Sequence, residues 1–267
     1  MDIFNLCNKI ELQERIKEKV LSFAVNFDFS NVNHFLYDFR FYEKMDEARI
    51  QLQKYLGEDE DGIKILACML KASADLYDFY EKKGISDDIY FDTMKCYTRF
   101  INETHMISGQ WCFDRYFWTV RQAGGHLFRI GELEYEMKQL QEKIVIGLHI
   151  PSFSDFSKEA VDNSFEKAKT FFNKYFPEVS ECEWICRSWL LDNQLQNMLK
   201  SNSNIIQFQN RFEILDEGEM NMECINWIFQ CQVTDYEKLP EKTTLQRNVK
   251  KHLLEGGVIR SSYGRVM

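Results

Sequence analysis

The chain has 267 residues, 45% of them hydrophobic, a formal net charge of -9 and a pI near 5.2. That length buries a sizeable core in one large or two smaller domains, and an acidic balance without a basic stripe argues against a nucleic-acid surface. No apolar stretch approaches the roughly 20 residues of a membrane span, and the opening "MDIFNLCNKIELQERIKEKV" mixes charge into its apolar positions. A soluble, cytoplasmic protein is expected. The eight cysteines are scattered through a chain large enough to need no staples, and are read as reduced thiols.

In the first hundred residues apolar side chains recur at three- to four-residue spacing: Ile10, Ile16, Val20 and Phe23, then Phe35, Leu36 and Phe39, then Ile63, Leu66, Met69, Leu70 and Leu76. This is helical periodicity. Gly57 and Gly84 supply breaks, and Ser86 before Asp87 and Asp88 suits an N-cap. An all-helical domain over residues 1–105 follows, with a second domain over residues 106–267.

The second stretch has a different texture. "QWCFDRYFWTVRQAGG" reads as one more helix closed by Gly124 and Gly125, and "HLFRIGELEYEM" then alternates at the strand period. A polar turn, "KQLQEK", leads to the β-branched run "IVIGLHI", so the two segments form a hairpin. Pro151 stops that strand, and a helix starts near Ser157 and ends at Pro177. "CEWICRSWLL" reads as a strand, "DNQLQNMLKS" as a short helix, and "NIIQFQNRFEIL" and "NWIFQCQV" as strands. "TTLQRNVKKHLLEGG" is the last helix, started by Pro240 and Thr243 or Thr244.

Several residues carry chemistry, each with a plainer reading beside it. Ser152, Ser154 and Ser157 set hydroxyls beside the amides of a helix entrance, where they serve an anion or only cap the helix. His149 shares its strand face with Gly147, which leaves room for a ligand, and is either a base or a core histidine. Glu132, Glu134 and Glu136 lie on one strand face, where they attract a cationic amine or are simply solvated. Arg121, beside Gln122, forks to a phosphate or carboxylate, or else stabilises a helix C-terminus. Cys182, Cys186 and Ser188 share a parity that sets Cys186 or Ser188 opposite His149, with Ser188 better suited to a polar contact than to a nucleophile. A metal at Cys182 and Cys186 is rejected, because strand residues four apart lie about 13 Å from each other. Gln207 and Arg211 line a polar pocket or an exposed sheet face, and Gln246 and Arg247 close on the helical domain or on a ligand.

On the segments "FWTVRQ", "LFRIGELEYEM", "LHIPS", "CRSWLL", "SNIIQFQNRFEI" and "LPEKTTLQRNVKKHLLEGG", the chain resembles a bacterial acyltransferase family with a helical N-acyltransferase N-terminal domain and a GNAT-like C-terminal domain. The resemblance implies an α+β fold, an all-helical domain followed by a GNAT-like mixed α/β domain. It also implies acyl-CoA, with acetyl-CoA first, as co-substrate and a small-molecule amine as acceptor. In such a fold the helix after the splayed strand meets the donor's pyrophosphate, which here falls to Ser152, Ser154 and Ser157 with Arg121, while His149, Glu134 and Ser188 face the reaction. The superfamily's Gln/Arg-x-x-Gly-x-Gly/Ala loop is absent from "IPSFSDFS", and Asp155 adds negative charge there. The alternative is a GNAT-shaped ligand-binding or protein-interaction module without catalysis, and the helical domain is a candidate surface for a partner or for a homodimer.

Overall fold

The computed structural model describes residues 1–220, 223–231 and 235–267, which divide into two compact units: residues 1–130 with 136–139, and residues 131–135 with 140–267.

The first unit holds the helices α1 (Ile3–Lys9), α2 (Glu14–Asn26), α3 (Asn33–Asp38), α4 (Met45–Leu56), α5 (Ile63–Lys83), α6 (Asp87–Met94), α7 (Cys96–Ser108) and α8 (Tyr116–Gly124). The longest, α5, buries Leu66, Met69, Leu70, Ser73, Leu76 and Tyr80, the helical spacing that identifies a packed stripe. Its start is fixed by Gly62 at φ 69°, where an added Cβ would meet the Phe113 carbonyl at 2.0 Å, and by Asp59, whose carboxylate accepts from the Lys64 and Ile65 amides. Its end is fixed by Gly84 at φ 71°. Two of the buried tyrosines in this core are tied to α5: Tyr97 Oη lies 2.8 Å from Ser73 Oγ, and Tyr90 Oη donates to the Ser73 carbonyl at 2.8 Å.

The chain then forms β1 (Leu127–Ile130), β2 (Leu133–Leu140) and β3 (Lys143–His149), followed by α9 (Lys158–Tyr175), β4 (Trp184–Ser188), α10 (Leu195–Met198), α11 (Asn204–Gln209), β5 (Phe212–Met220), α12 (Glu223–Phe229), α13 (Thr244–Leu254) and β6 (Arg260–Val266). The six strands lie in the order β1-β2-β3-β4-β6-β5. β3 and β4 are parallel, whereas β6 is antiparallel to both β4 and β5. A second apolar cluster of Leu195, Ile206, Ile225, Ile228, Val249 and Leu253 joins the late helices.

Four elements differ from the sequence reading. "HLFRIGELEYEM" is two strands, because Gly131 at φ 63° and Glu132 fold it into a turn, and the β2–β3 connection is only Gln141 and Glu142. The first half of "NIIQFQNRFEIL" is the helix α11, nucleated by Ser203, whose hydroxyl accepts from the Ile206 amide. Most of the segment read as the strand "NWIFQCQV" is helix α12 with its bend, where Cys224, Ile225, Ile228 and Phe229 are buried at helical spacing; Gln232 and Val233 lie outside the described residues. Strand β6, "RSSYGRV", gave no apolar alternation to read, since small and charged residues fill it.

The last helix begins with a capping box: Thr243 Oγ1 accepts from the Gln246 amide, and the Gln246 side chain accepts from the Thr243 amide. Gln246 therefore serves the helix start and also donates to the Ile228 carbonyl. Thr243→Ala is expected to destabilise the protein by about 1 kcal/mol, read as a lower melting temperature. All eight cysteines are thiols, and burial pushes Cys7, Cys68 and Cys224 up to about 12. Below that pH they stay neutral, so native protein at about pH 8 should leave these three unlabelled by a thiol reagent, whereas denaturation without reductant should expose all eight.

Candidate active site

The centre of the C-terminal unit is the parallel ladder of β3 on β4, with Ile146 opposite Trp184, Gly147 opposite Ile185 and Leu148 opposite Cys186. There the pairing stops. β4 continues through Arg187 and Ser188, which pair with Tyr263 and Ser262 of β6 on its other edge but not with β3, so the two parallel strands part at their C-terminal ends. His149, the last residue of β3, is half-buried on the Gly147 face of this opening. The other face carries Trp184, whose ring meets Tyr135, Phe165 and Phe172 at centroid distances of 5.4, 6.1 and 5.9 Å and fixes α9 to the sheet.

The register corrects one expectation. Cys186 is level with Leu148, so Cys186 and Ser188 point to the face opposite His149 and are not brought together with it. Cys186 is buried, and Ser188 Oγ accepts from the Leu190 amide at 3.2 Å, capping the 3-10 turn Trp189–Leu191.

Between β3 and α9 the loop is held by hydrogen bonds. Ser154 Oγ reaches the Glu132 carbonyl at 2.7 Å and the Pro151 carbonyl at 3.0 Å, so its one proton is committed to carbonyls. The Asp155 amide donates to Glu132 Oε2 at 2.9 Å, and the Ser157 amide donates to Asp155 Oδ1 at 2.9 Å. Ser157 is the N-cap of α9, accepting from the Ala160 amide at 3.3 Å, a role that leaves its own proton to donate. Two carboxylates, Glu132 and Asp155, thus stand at the helix entrance, and Ser152 sits in the turn before them. Arg211 clamps Asp162 on α9 and the Gln207 carbonyl; hydrogen bonds from Lys158 and Arg211 hold the Asp162 carboxyl below its usual range.

The acidic strand face is not solvated. Glu134 and Glu136 are 3% and 2% exposed. In the helical unit Arg121 donates from Nε to Glu136 Oε1 at 2.9 Å and from Nη1 to the Phe117 carbonyl at 2.9 Å, with its guanidinium 4.7 Å from the Trp118 ring. Of the two anions considered for Arg121, the carboxylate is the one beside it. His126 Nε2 lies 3.0 Å from the Phe39 carbonyl, and burial lowers its pKa. Sequence spacing gave no sign of the Arg121–Glu136 pair, because a helix residue and a strand residue meet only through the fold.

A parallel strand pair that opens beside the N-terminus of a packed helix, within a mixed sheet, defines a GNAT-like fold. Residues 127–266 match the GNAT-like C-terminal domain and residues 1–125 the N-acyltransferase N-terminal domain, and the chain belongs to this family. Similar solved structures include an acyltransferase in complex with decanoyl-CoA and teicoplanin, at 22% identity and a TM-score of 0.80, covering 98% of this chain and 86% of that one. An acyltransferase mutant in complex with octanoyl-CoA matches at 23% identity and a TM-score of 0.79, with the same coverage of both chains. These likenesses establish the fold. No curated protein matches the chain. No helix among the described residues is long and apolar enough to cross a membrane.

Removing one member of a buried ion pair strands the other, so Arg121→Met is expected to destabilise the protein by about 3–5 kcal/mol, and Glu136→Leu in the same chain should restore most of it. Denaturant titration of the single and double variants checks this. The lowered pKa of His126 means that the unfolded chain binds its proton first as pH falls through 6.5. Stability from this residue is present above that value and declines below it, and His126→Asn should flatten the decline in melting temperature over that range.

Proposed function

We propose that the chain is an acyl-CoA-dependent N-acyltransferase, moving an acyl group from a coenzyme A thioester to an amine. The observation that carries this reading is the parting of β3 from β4 beyond Leu148 and Cys186, with His149 at the end of β3. β2 and β3 are neighbouring strands joined by Gln141 and Glu142, with the buried carboxylate of Glu134 on β2 and His149 at the end of β3. An imidazole beside a buried carboxylate suits proton acceptance, because the carboxylate favours the imidazolium that forms.

In this reading the amine nitrogen attacks the thioester carbonyl, the C–N bond forms, the C–S bond breaks, and the amine's proton passes through His149 to the departing thiolate. Ser157, through its remaining proton, and Ser152 meet the donor's pyrophosphate at the positive end of α9. Ser154 and Arg121 act on the fold, one through the loop and the other through Glu136. Octanoyl and decanoyl donors in similar solved structures support a donor longer than acetyl-CoA, which becomes the shortest member of the series to be tested. A binding module without catalysis is the second reading, favoured by the carboxylates of Glu132 and Asp155 on the entrance amides.

Acyl-CoA at a hundred times its dissociation constant should stabilise the fold by about 2.7 kcal/mol, visible as a raised melting temperature. His149→Ala should keep that shift and lose about 100-fold or more in kcat with an amine acceptor. A retained shift without turnover in the wild type would favour the binding module, and no shift with acetyl-, octanoyl- or decanoyl-CoA would remove the donor itself.

A further inference from the structure

We infer that α8 carries a buried hydration site, in which internal water is held by the Thr119 hydroxyl and the Gln122 carboxamide. This site lies in the helical unit and is independent of the donor reading above. Among the described residues Thr119 Oγ1, Gln122 Nε2 and Gln122 Oε1 are buried side-chain atoms without a hydrogen-bond partner, and both residues are 0% exposed. They stand three positions apart on one helix, so their side chains start as neighbours on one face.

Other groups of the same kind in this molecule are satisfied by the protein itself. Thr93 and Thr104 each donate from Oγ1 to the carbonyl four residues earlier, at 2.6 and 3.0 Å. Thr119 is denied that route, because the Arg115 carbonyl already accepts from the Trp118 and Thr119 amides at 3.0 Å each, which fills both of its lone pairs. Its hydroxyl is left over. Among the buried carboxamides, Gln209 donates to the Leu190 and Asp192 carbonyls, and Gln246 accepts from the Lys242 and Thr243 amides while donating to the Ile228 carbonyl. Gln122 has neither kind of bond.

The chemistry narrows what completes the turn. A carboxamide and a hydroxyl left dry in a helical core are costly, and a buried polar group without a protein partner ordinarily has an ordered water. The ligand must donate to Oε1 and accept from Nε2, and water does both through a single oxygen. It must also be small, since neither side chain reaches the surface. Internal waters typically make about three hydrogen bonds, and three unmet atoms stand on this turn. Arg121, the charged residue between the two, is committed to Glu136 and the Phe117 carbonyl, so the groups that remain are neutral and suit a neutral ligand.

The test is a high-resolution crystal structure of the full chain, with melting temperatures of Gln122→Met, Thr119→Val and the double variant. Density for water is expected within about 3 Å of both the Gln122 carboxamide and the Thr119 hydroxyl. Each single variant should melt about 2–4 °C lower, because the water loses one partner and the other side chain is left with an incomplete set. The double variant should lose less than the two singles together, as groups sharing one ligand require. A dry site predicts the opposite sign, since Gln122→Met would then remove an unsatisfied amide and raise the melting temperature. That rise, or a wild-type structure in which the two side chains have no water between them, overturns the inference.

Discussion

The parallel ladder between β3 and β4 spans three residue pairs, and the C-terminal unit is arranged to keep it that short. Pro151, two residues past β3, lacks the N–H that a longer strand would need. Along its other edge β4 stays paired with β6 through Arg187 and Ser188, two residues beyond its last pair with β3. Trp184 anchors the closed end through three aromatic contacts beneath α9, and Ser154 and Glu132 anchor the loop at the open end. A gap in a sheet ordinarily closes, because exposed backbone groups seek partners. Here it is held by commitments made on both sides of it.

Charge placement follows the same geometry. Glu134 and Glu136 lie on a strand where the flanking faces are covered, so their carboxylates interact in surroundings of low polarity and little screening. Glu136 is balanced by Arg121, whose guanidinium is fixed on three sides by the carboxylate, the Phe117 carbonyl and the Trp118 ring. Such a pair adds little net stability over an apolar substitute, yet removing either partner alone leaves the other's charge buried and unbalanced.

Much of this was legible in the residues. The helical stripes of the first hundred residues, the α9 and α13 helices, and the β3 strand ending at His149 each follow from a single dominant period with clear stops. The failures have physical causes. "NIIQFQNRF" alternates and also satisfies a helical stripe, and its Ser203 cap decided the matter through one hydrogen bond. "GELEYEM" has strand alternation, but alternation cannot tell which face is covered, so the glutamates looked solvated. The parity argument for Ser188 was sound within β4 and failed across strands, because register is a property of pairing.

One margin of the sheet is β5, "FEILDEGEM", paired among the described residues only with β6 and interrupted by two shifts in register. Gly218 makes the closest approach there, for a Cβ at that position would meet the Ser261 carbonyl at 1.8 Å. Glu213, Asp216, Glu217 and Glu219 line this margin. A strand from a second molecule would have to match a kinked backbone, and an identical strand would bring carboxylates against carboxylates. The exposed rim therefore resists edge-to-edge aggregation.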